Sequence, residues 1–231
     1  MFGEKRILAI IPARGGSKGI PRKNIISLCG EPLISYTIKE ALCSRYIDYV
    51  MVSTEDEEIA SVSRKYGANI PFMRPREMSS DQSKTIDAIM YSLNELEKTN
   101  KVFDILVILQ PTSPLRTVND IDGAIRFFFD NDCNSLMSVS EVENNPLLIR
   151  SITGNKAIPL MNRNSTCRRQ DMEKFYVVNG AIYINEIAYI NSCTSFNDND
   201  TPYVIDRSHA VDIDEFKDIV LAEYFLGSIV I

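Results

Sequence analysis

Residues 13–24 read Ala-Arg-Gly-Gly-Ser-Lys-Gly-Ile-Pro-Arg-Lys-Asn, so three glycines share a short stretch with the cations Arg14, Lys18, Arg22 and Lys23. Glycines let backbone approach a ligand closely and turn N–H groups toward it as an anion nest. Four like charges packed this tightly repel one another unless an anion joins them, so the segment suits a polyphosphate. Neither G-x-x-x-x-G-K-[ST] nor G-x-G-x-x-G occurs in it. The competing reading is a solvated basic turn. What favours phosphate is placement directly after the continuous apolar run Ile7–Pro12.

Three further groupings carry chemistry. Asp212 and Asp214 flank Ile213, and carboxylates at i and i+2 on extended backbone share a face. At about 4 Å and an effective dielectric near ~20 they repel by about 4 kcal/mol. A divalent cation removes that penalty, and oxygen ligands suit Mg²⁺. The competing reading has Asp214 cap the helix that follows. Leu109-Gln110-Pro111-Thr112-Ser113-Pro114-Leu115-Arg116 is a proline-stiffened loop that offers an amide, hydroxyls and a guanidinium to a polar ligand. It serves equally well as a rigid turn, with Thr117 free to cap the next helix. Arg168-Arg169-Gln170 precedes Asn179-Gly180-Ala181-Ile182-Tyr183, and arginines on a projecting element can reach a carboxylate or phosphate in the same or a neighbouring subunit. The single histidine, His209, reads as structural.

The elements that must position these groups follow from hydrophobic periodicity. Buried strands are predicted at Ile7–Pro12, Tyr49–Ser53, Ile105–Leu109 and Ser135–Val139, and again at Ala181–Ile184 and Ala210–Ile213. Helices are predicted at Leu33–Leu42, Glu57–Tyr66 with Gly67 as its stop, Thr85–Leu96, Asn119–Phe129 and Glu215–Phe225. Such alternation specifies an α/β fold, a doubly wound and mostly parallel sheet with helices on both faces. The alternation breaks across 141–178. That segment is expected to form a small inserted arm in a domain built from 1–140 and 179–231.

Composition narrows the chemistry. With one histidine, H-E-x-x-H zinc hydrolysis is excluded, and five scattered cysteines without C-x-x-C read as a reduced complement. A net charge of −6 argues against a nucleic-acid surface, although residues 1–24 hold six basic side chains and one acidic. No apolar run approaches the length of a membrane span, so a cytoplasmic protein without membrane contact is expected.

Taken in order, Ala9-Ile10-Ile11-Pro12-Ala13-Arg14-Gly15-Gly16-Ser17-Lys18-Gly19, Arg22-Lys23-Asn24, Leu109 to Arg116, Asn179 to Ile184 and Asp212-Ile213-Asp214 resemble the N-acylneuraminate cytidylyltransferases, also called CMP-sialic acid synthetases. The opening motif alone also fits cytidylyltransferases of 3-deoxy-octulosonate. The resemblance implies a Rossmann-like nucleotidyltransferase in which the anomeric hydroxyl of an α-keto sugar acid attacks the α-phosphorus of CTP and pyrophosphate leaves. It implies that Arg14, Lys18, Lys23 and Asn24 hold the nucleotide and its phosphates, with Arg14 and Lys18 offsetting charge on the leaving group. Arg74 and Ser83 fall where the family contacts the cytidine portion. Gln110 and Asn179 fall at the sugar, and Asp212 and Asp214 match the Mg²⁺ ligands. No residue stands out as the base for the sugar hydroxyl; a metal-bound hydroxide and Asp214 itself are the two candidates. The arm resembles a dimerisation segment that delivers Arg169 to the partner's site, which implies a homodimer. Leu148 and Val177 stand where the family often has a lysine and an arginine, and this favours a legionaminic- or pseudaminic-type nine-carbon acid. A non-catalytic nucleotide-binding subunit is the alternative outside enzymology.

Overall fold

A computed structural model describes residues 4–17, 19–79, 83–162, 166 and 168–228. The apolar run that opens the chain is strand β1 (Ile7–Pro12), and it alternates between two cores: Ile7, Ala9 and Ile11 face one side of the sheet, Leu8 and Ile10 the other. A short hairpin, β2 (Ser27–Leu28) and β3 (Glu31–Pro32), leads into helix α1 (Leu33–Cys43). Then come β4 (Tyr49–Ser53), α2 (Glu57–Lys65), α3 (Thr85–Lys98), β5 (Ile105–Leu109), α4 (Val118–Asp130) and β6 (Ser135–Glu141). The hairpin β7 (Arg150–Thr153) and β8 (Lys156–Pro159) follows, then β9 (Tyr176–Glu186), β10 (Thr201–Val204) and α5 (Phe216–Ser228).

The main sheet has the order β10-β6-β9-β5-β1-β4. β1 pairs in parallel with β4 and β5, and β6 with β10, whereas β9 runs antiparallel to β5 and β6. Helices α1, α2 and α4 cover one face through Ile34, Ile38, Ile59, Ile125 and Phe128, and α3 covers the other through Ile86, Ile89 and Leu96. Thr117 caps α4 as its spacing predicts: its side chain accepts from the N–H of Asp120, whose carboxylate accepts the Thr117 N–H at 2.8 Å.

Two differences from the periodicity reading have physical causes. Residues 210–213 join no ladder; Ile213 N–H donates to the Thr112 carbonyl at 2.8 Å, and the Ile213 side chain is fully buried in a third core with Ile20, Leu28, Leu33, Ile219 and Ala222. An apolar residue between two acids mimics strand alternation when it is a peg into a helix-packed pocket. The strand at the edge beside β6 is β10, whose outward residues Pro202 and Val204 are exposed, a pattern too weak to register. Strand pairing of β6 with β9 continues to Glu141 and Tyr176, so the part that leaves the main sheet lies inside 141–178.

Candidate active site

β1 and β5 lie side by side, with β4 on the far flank of β1, so the chain reverses its winding between them. Ligands of open α/β sheets bind at that crevice, beyond the carboxyl ends of the strands. The loops after β1 and β5 both open there, onto a cavity of about 420 Å³ lined by Arg14, Lys23, Asn24, Arg74, Ser83 and Gln110, together with Asp212 and Asp214. The segments contributing these residues lie far apart in the sequence.

The glycine-rich loop is held at several points. Buried Asn24 donates from Nδ2 to the Arg14 carbonyl at 2.9 Å, closing the loop on itself. Gly15 N–H donates to Glu55 Oε1 at 2.7 Å. A Cβ on Gly15 would stand 2.6 Å from Asp56 Oδ2, so this position has no room for a side chain. Arg22, at a left-handed φ of 57°, pairs bidentately with Asp56 and also with Glu58. Ile20 sinks into the third core, the same one that holds Ile213. Loop and acid pair therefore share one anchor, and each such buried Ile contributes about 1.5–3 kcal/mol.

Asp212 and Asp214 project from either side of that peg. Lys23 Nζ lies 2.8 Å from Asp214 Oδ1. Asp214 does not cap α5; Asp218 reaches back instead, accepting the N–H groups of Asp214 and Glu215 at 3.0 and 2.8 Å. Asp212 is reached by solvent through the cavity but ringed by protein. That desolvation pushes its carboxyl above its ordinary value, against a lowering hydrogen bond from Thr112, and the nearby Asp214 charge pushes the same way as burial. A cation between the two carboxylates would relieve the strain. Among the described residues no cluster of three or more His, Cys, Asp and Glu is placed to hold a metal. Mg²⁺ commonly takes only one or two protein carboxylates, completed by water and substrate phosphates, so the donor set fits it.

Arg74 is buried, its N–H donating to the Thr54 carbonyl at 2.8 Å and its guanidinium to Ser79 Oγ at 3.0 Å and Glu55 Oε2 at 2.8 Å. Ser83 donates to the Glu77 carbonyl at 3.1 Å. Arg116 departs from its expected part as a ligand contact. It is 1% exposed and donates to the carbonyls of Gln110 and Ala181 at 3.1 and 2.8 Å and to Thr37 Oγ1 at 2.7 Å, so it braces the loop from behind. Burial without a carboxylate contact pulls its pKa down to about 10. Asn179 is not part of the cavity wall either. Its Oδ1 accepts from Ser138 Oγ at 2.6 Å and from Ala181 N–H at 3.1 Å, while Gly180 beside it packs under the Gln110 amide. Lys18 lies outside the described residues; Arg169 sits in a short 3-10 turn, and its side chain is not described.

A family profile described as "Cytidylyltransferase" matches residues 8–223. The chain belongs to the cytidylyltransferase family. It is 34% identical over 218 residues to a pseudaminic acid cytidylyltransferase of Campylobacter jejuni, covering 94% of each chain. It is 36% identical over 228 residues to a CMP-N,N'-diacetyllegionaminic acid synthase of Legionella pneumophila, covering 94% of this chain and 95% of that one. Its fold is similar to that of a CMP:2-keto-3-deoxy-manno-octonic acid synthetase complexed with CTP, with a TM-score of 0.74 at 15% identity over 97% of this chain and 100% of the other.

This cytidylyltransferase has a second cavity of about 510 Å³ on the other side of Gln110. Ser83, Lys84, Thr85 and Gln110 belong to both cavities, and Tyr183, Phe196 and Asn197 line only the second. Tyr183 Oη donates to Asn197 Oδ1 at 2.5 Å. Sequence reasoning passed over residues 192–197 because a polar loop without periodicity carries no local signal. Only the antiparallel pairing of β9 brings Tyr183 beside it. Among the described residues no helix is long and apolar enough to cross a membrane.

Proposed function

We propose that this enzyme joins CTP to a nine-carbon α-keto sugar acid of the pseudaminic or legionaminic type, releasing pyrophosphate and forming the CMP-activated sugar. The observation that carries the reading is the pair of cavities sharing the Gln110 wall, one rich in cations and carboxylates, the other lined by hydroxyls, an amide and aromatic rings. A triphosphate suits the first and an acylated sugar the second. The names of relatives at 34–36% identity point the same way.

In this reading Arg14, Lys18, Lys23 and Asn24 hold the triphosphate, Arg74 and Ser83 the nucleoside, and Gln110 the sugar. Asp212 and Asp214 would hold Mg²⁺, which when bound supplies charge neutralisation at the phosphates. The anomeric oxygen attacks the α-phosphorus as the bond to pyrophosphate breaks, and Arg14 and Lys18 offset the charge that develops on the leaving oxygens. Asp214, open to solvent, takes the hydroxyl proton and passes it to water. Positioning does most of the work, which is why a chain with one histidine suffices.

The second copy enters through the arm. Ile152, Ile158 and Leu160 are 81%, 46% and 62% exposed on or beside a two-stranded hairpin with no residue buried. Such a hairpin is marginal alone in water, so a homodimer that covers it completes the reading, with Arg169 reaching the neighbouring cavity.

Pyrophosphate release from CTP and Mg²⁺ with a panel of eight- and nine-carbon α-keto acids tests this. Turnover with pseudaminic- or legionaminic-type acids above N-acetylneuraminate and 3-deoxy-octulosonate is expected. Preference for the octulosonate would transfer the chain to that branch, and silence with every acid would leave a non-catalytic nucleotide binder.

A further inference from the structure

Glu55 follows β4 by two residues and lies behind the cavity wall, its side chain 12% exposed. One oxygen, Oε1, accepts the N–H of Gly15 at 2.7 Å. The other, Oε2, accepts from Arg74 Nη2 and from Ser79 Oγ, each at 2.8 Å, and Ser79 Oγ in turn accepts from Arg74 Nε at 3.0 Å. A single carboxylate thus joins the glycine-rich loop to the buried guanidinium that lines the far part of the same cavity. We infer that Glu55 is a positioning residue for the nucleotide, fixing the span between the loop that takes the phosphates and the arginine that takes the nucleoside. The inference rests on the CTP reading above.

Chemistry explains why a carboxylate is needed. Three donors converge on Glu55, and only an acceptor-only group can satisfy all of them. Burial pushes its carboxyl up, but the hydrogen bonds from Gly15, Ser79 and Arg74 outweigh it and hold the group below its ordinary value, so it stays ionised. With Nε and Nη2 engaged, the plane of the Arg74 guanidinium is set, and so is the aim of its remaining donors. A glutamine at 55 would turn an NH₂ toward either Gly15 or the Arg74 and Ser79 pair, releasing one end of the span. Preorganisation of this kind is felt as ligand affinity because disorder in the supporting group must be removed on binding.

Calorimetric titration of the full chain with CTP, and separately with inorganic triphosphate, both with Mg²⁺, tests the inference. Glu55→Gln should weaken CTP at least tenfold. Arg74→Ala should weaken CTP but leave triphosphate within threefold. The double variant should bind CTP no more than threefold worse than the weaker single variant, since each change breaks the same span. Losses that multiply, or wild-type CTP affinity in Glu55→Gln, would overturn the proposal. Should Glu55→Gln not fold, Ser79→Ala takes its place with an expected loss of threefold or more, and unchanged affinity there overturns the proposal equally. Failure of the wild-type chain to bind CTP would instead sink the underlying function.

Discussion

Gly180 takes a φ of 73°, and a Cβ there would stand 2.9 Å from Gln110 Oε1. An alanine would be strained by its backbone at a cost of about 1–3 kcal/mol, and it would push away the amide that both cavities share. Gly180→Ala is expected to raise the KM for the sugar acid about tenfold while the KM for CTP stays within twofold. Steady-state kinetics with each substrate varied in turn decides it, and equal KM effects would refute the separation. Asp214 offers the complementary case. Its side chain is 73% exposed and pairs with Lys23 at the surface, so Asp214→Ala should shift stability by no more than about 0.5 kcal/mol yet abolish turnover. Wild-type rates in that variant would remove Asp214 from the chemistry. At this scale the sequence was legible wherever a residue type announces its chemistry: Arg14, Lys23, Asn24, Arg74, Ser83, Gln110, Asp212 and Asp214 all line one cavity. Local sequence does not show which polar residues also brace the fold: Arg116 donates to the Ala181 carbonyl of β9, and Asn179 Oδ1 accepts from Ser138 of β6.

The turn after β4 shows how one short segment holds another. Glu55 grips the basic loop at Gly15 and Asp56 grips it at Arg22, while Asp56 also accepts the Glu58 and Ile59 N–H groups at the start of α2. The Arg22 hydrogen bonds hold the Asp56 carboxyl below its ordinary value, as the loop contacts do for Glu55 against its burial. A depressed folded-state pKa contributes stability that is present above the ordinary values of 4.5 and 3.8 and is lost as pH falls through the depressed ones. The melting temperature should therefore drop steeply below about pH 4.5, and Glu55→Gln should flatten that slope. Parallel slopes in calorimetric scans of the two proteins would refute it. Asp56 caps α2, its side chain accepting from the Glu58 and Ile59 N–H groups. Its grip on Arg22 depends on β1 and β4 pairing in parallel, a non-local fact, whereas the helices and inner strands were legible because their periodicity is local.

Across the whole molecule the net charge of −6 coexists with a basic opening segment, and folding brings Asp56 and Glu58 against Arg22 and Asp214 against Lys23. The free site is thus partly neutralised before any triphosphate arrives. What the single chain does not neutralise is the apolar hairpin. Ile152 pairs across from Ala157 and Ile158 across from Ser151, so apolar groups occupy both of its faces. In a monomer, an exposed Ile→Glu change is worth no more than about 0.5 kcal/mol. Covered by a second copy, the same change buries an unpaired charge and destroys the contact. Ile152→Glu with Ile158→Glu is therefore expected to convert a dimer into a monomer in sedimentation at micromolar concentration. On the proposed reading turnover should fall with it, since Arg169 would lose the neighbouring cavity, while CTP affinity, which the loop and Arg74 of one chain would set, should stay within threefold of wild type. A wild-type monomer, or a monomeric variant with full turnover, would show that one chain holds the whole site.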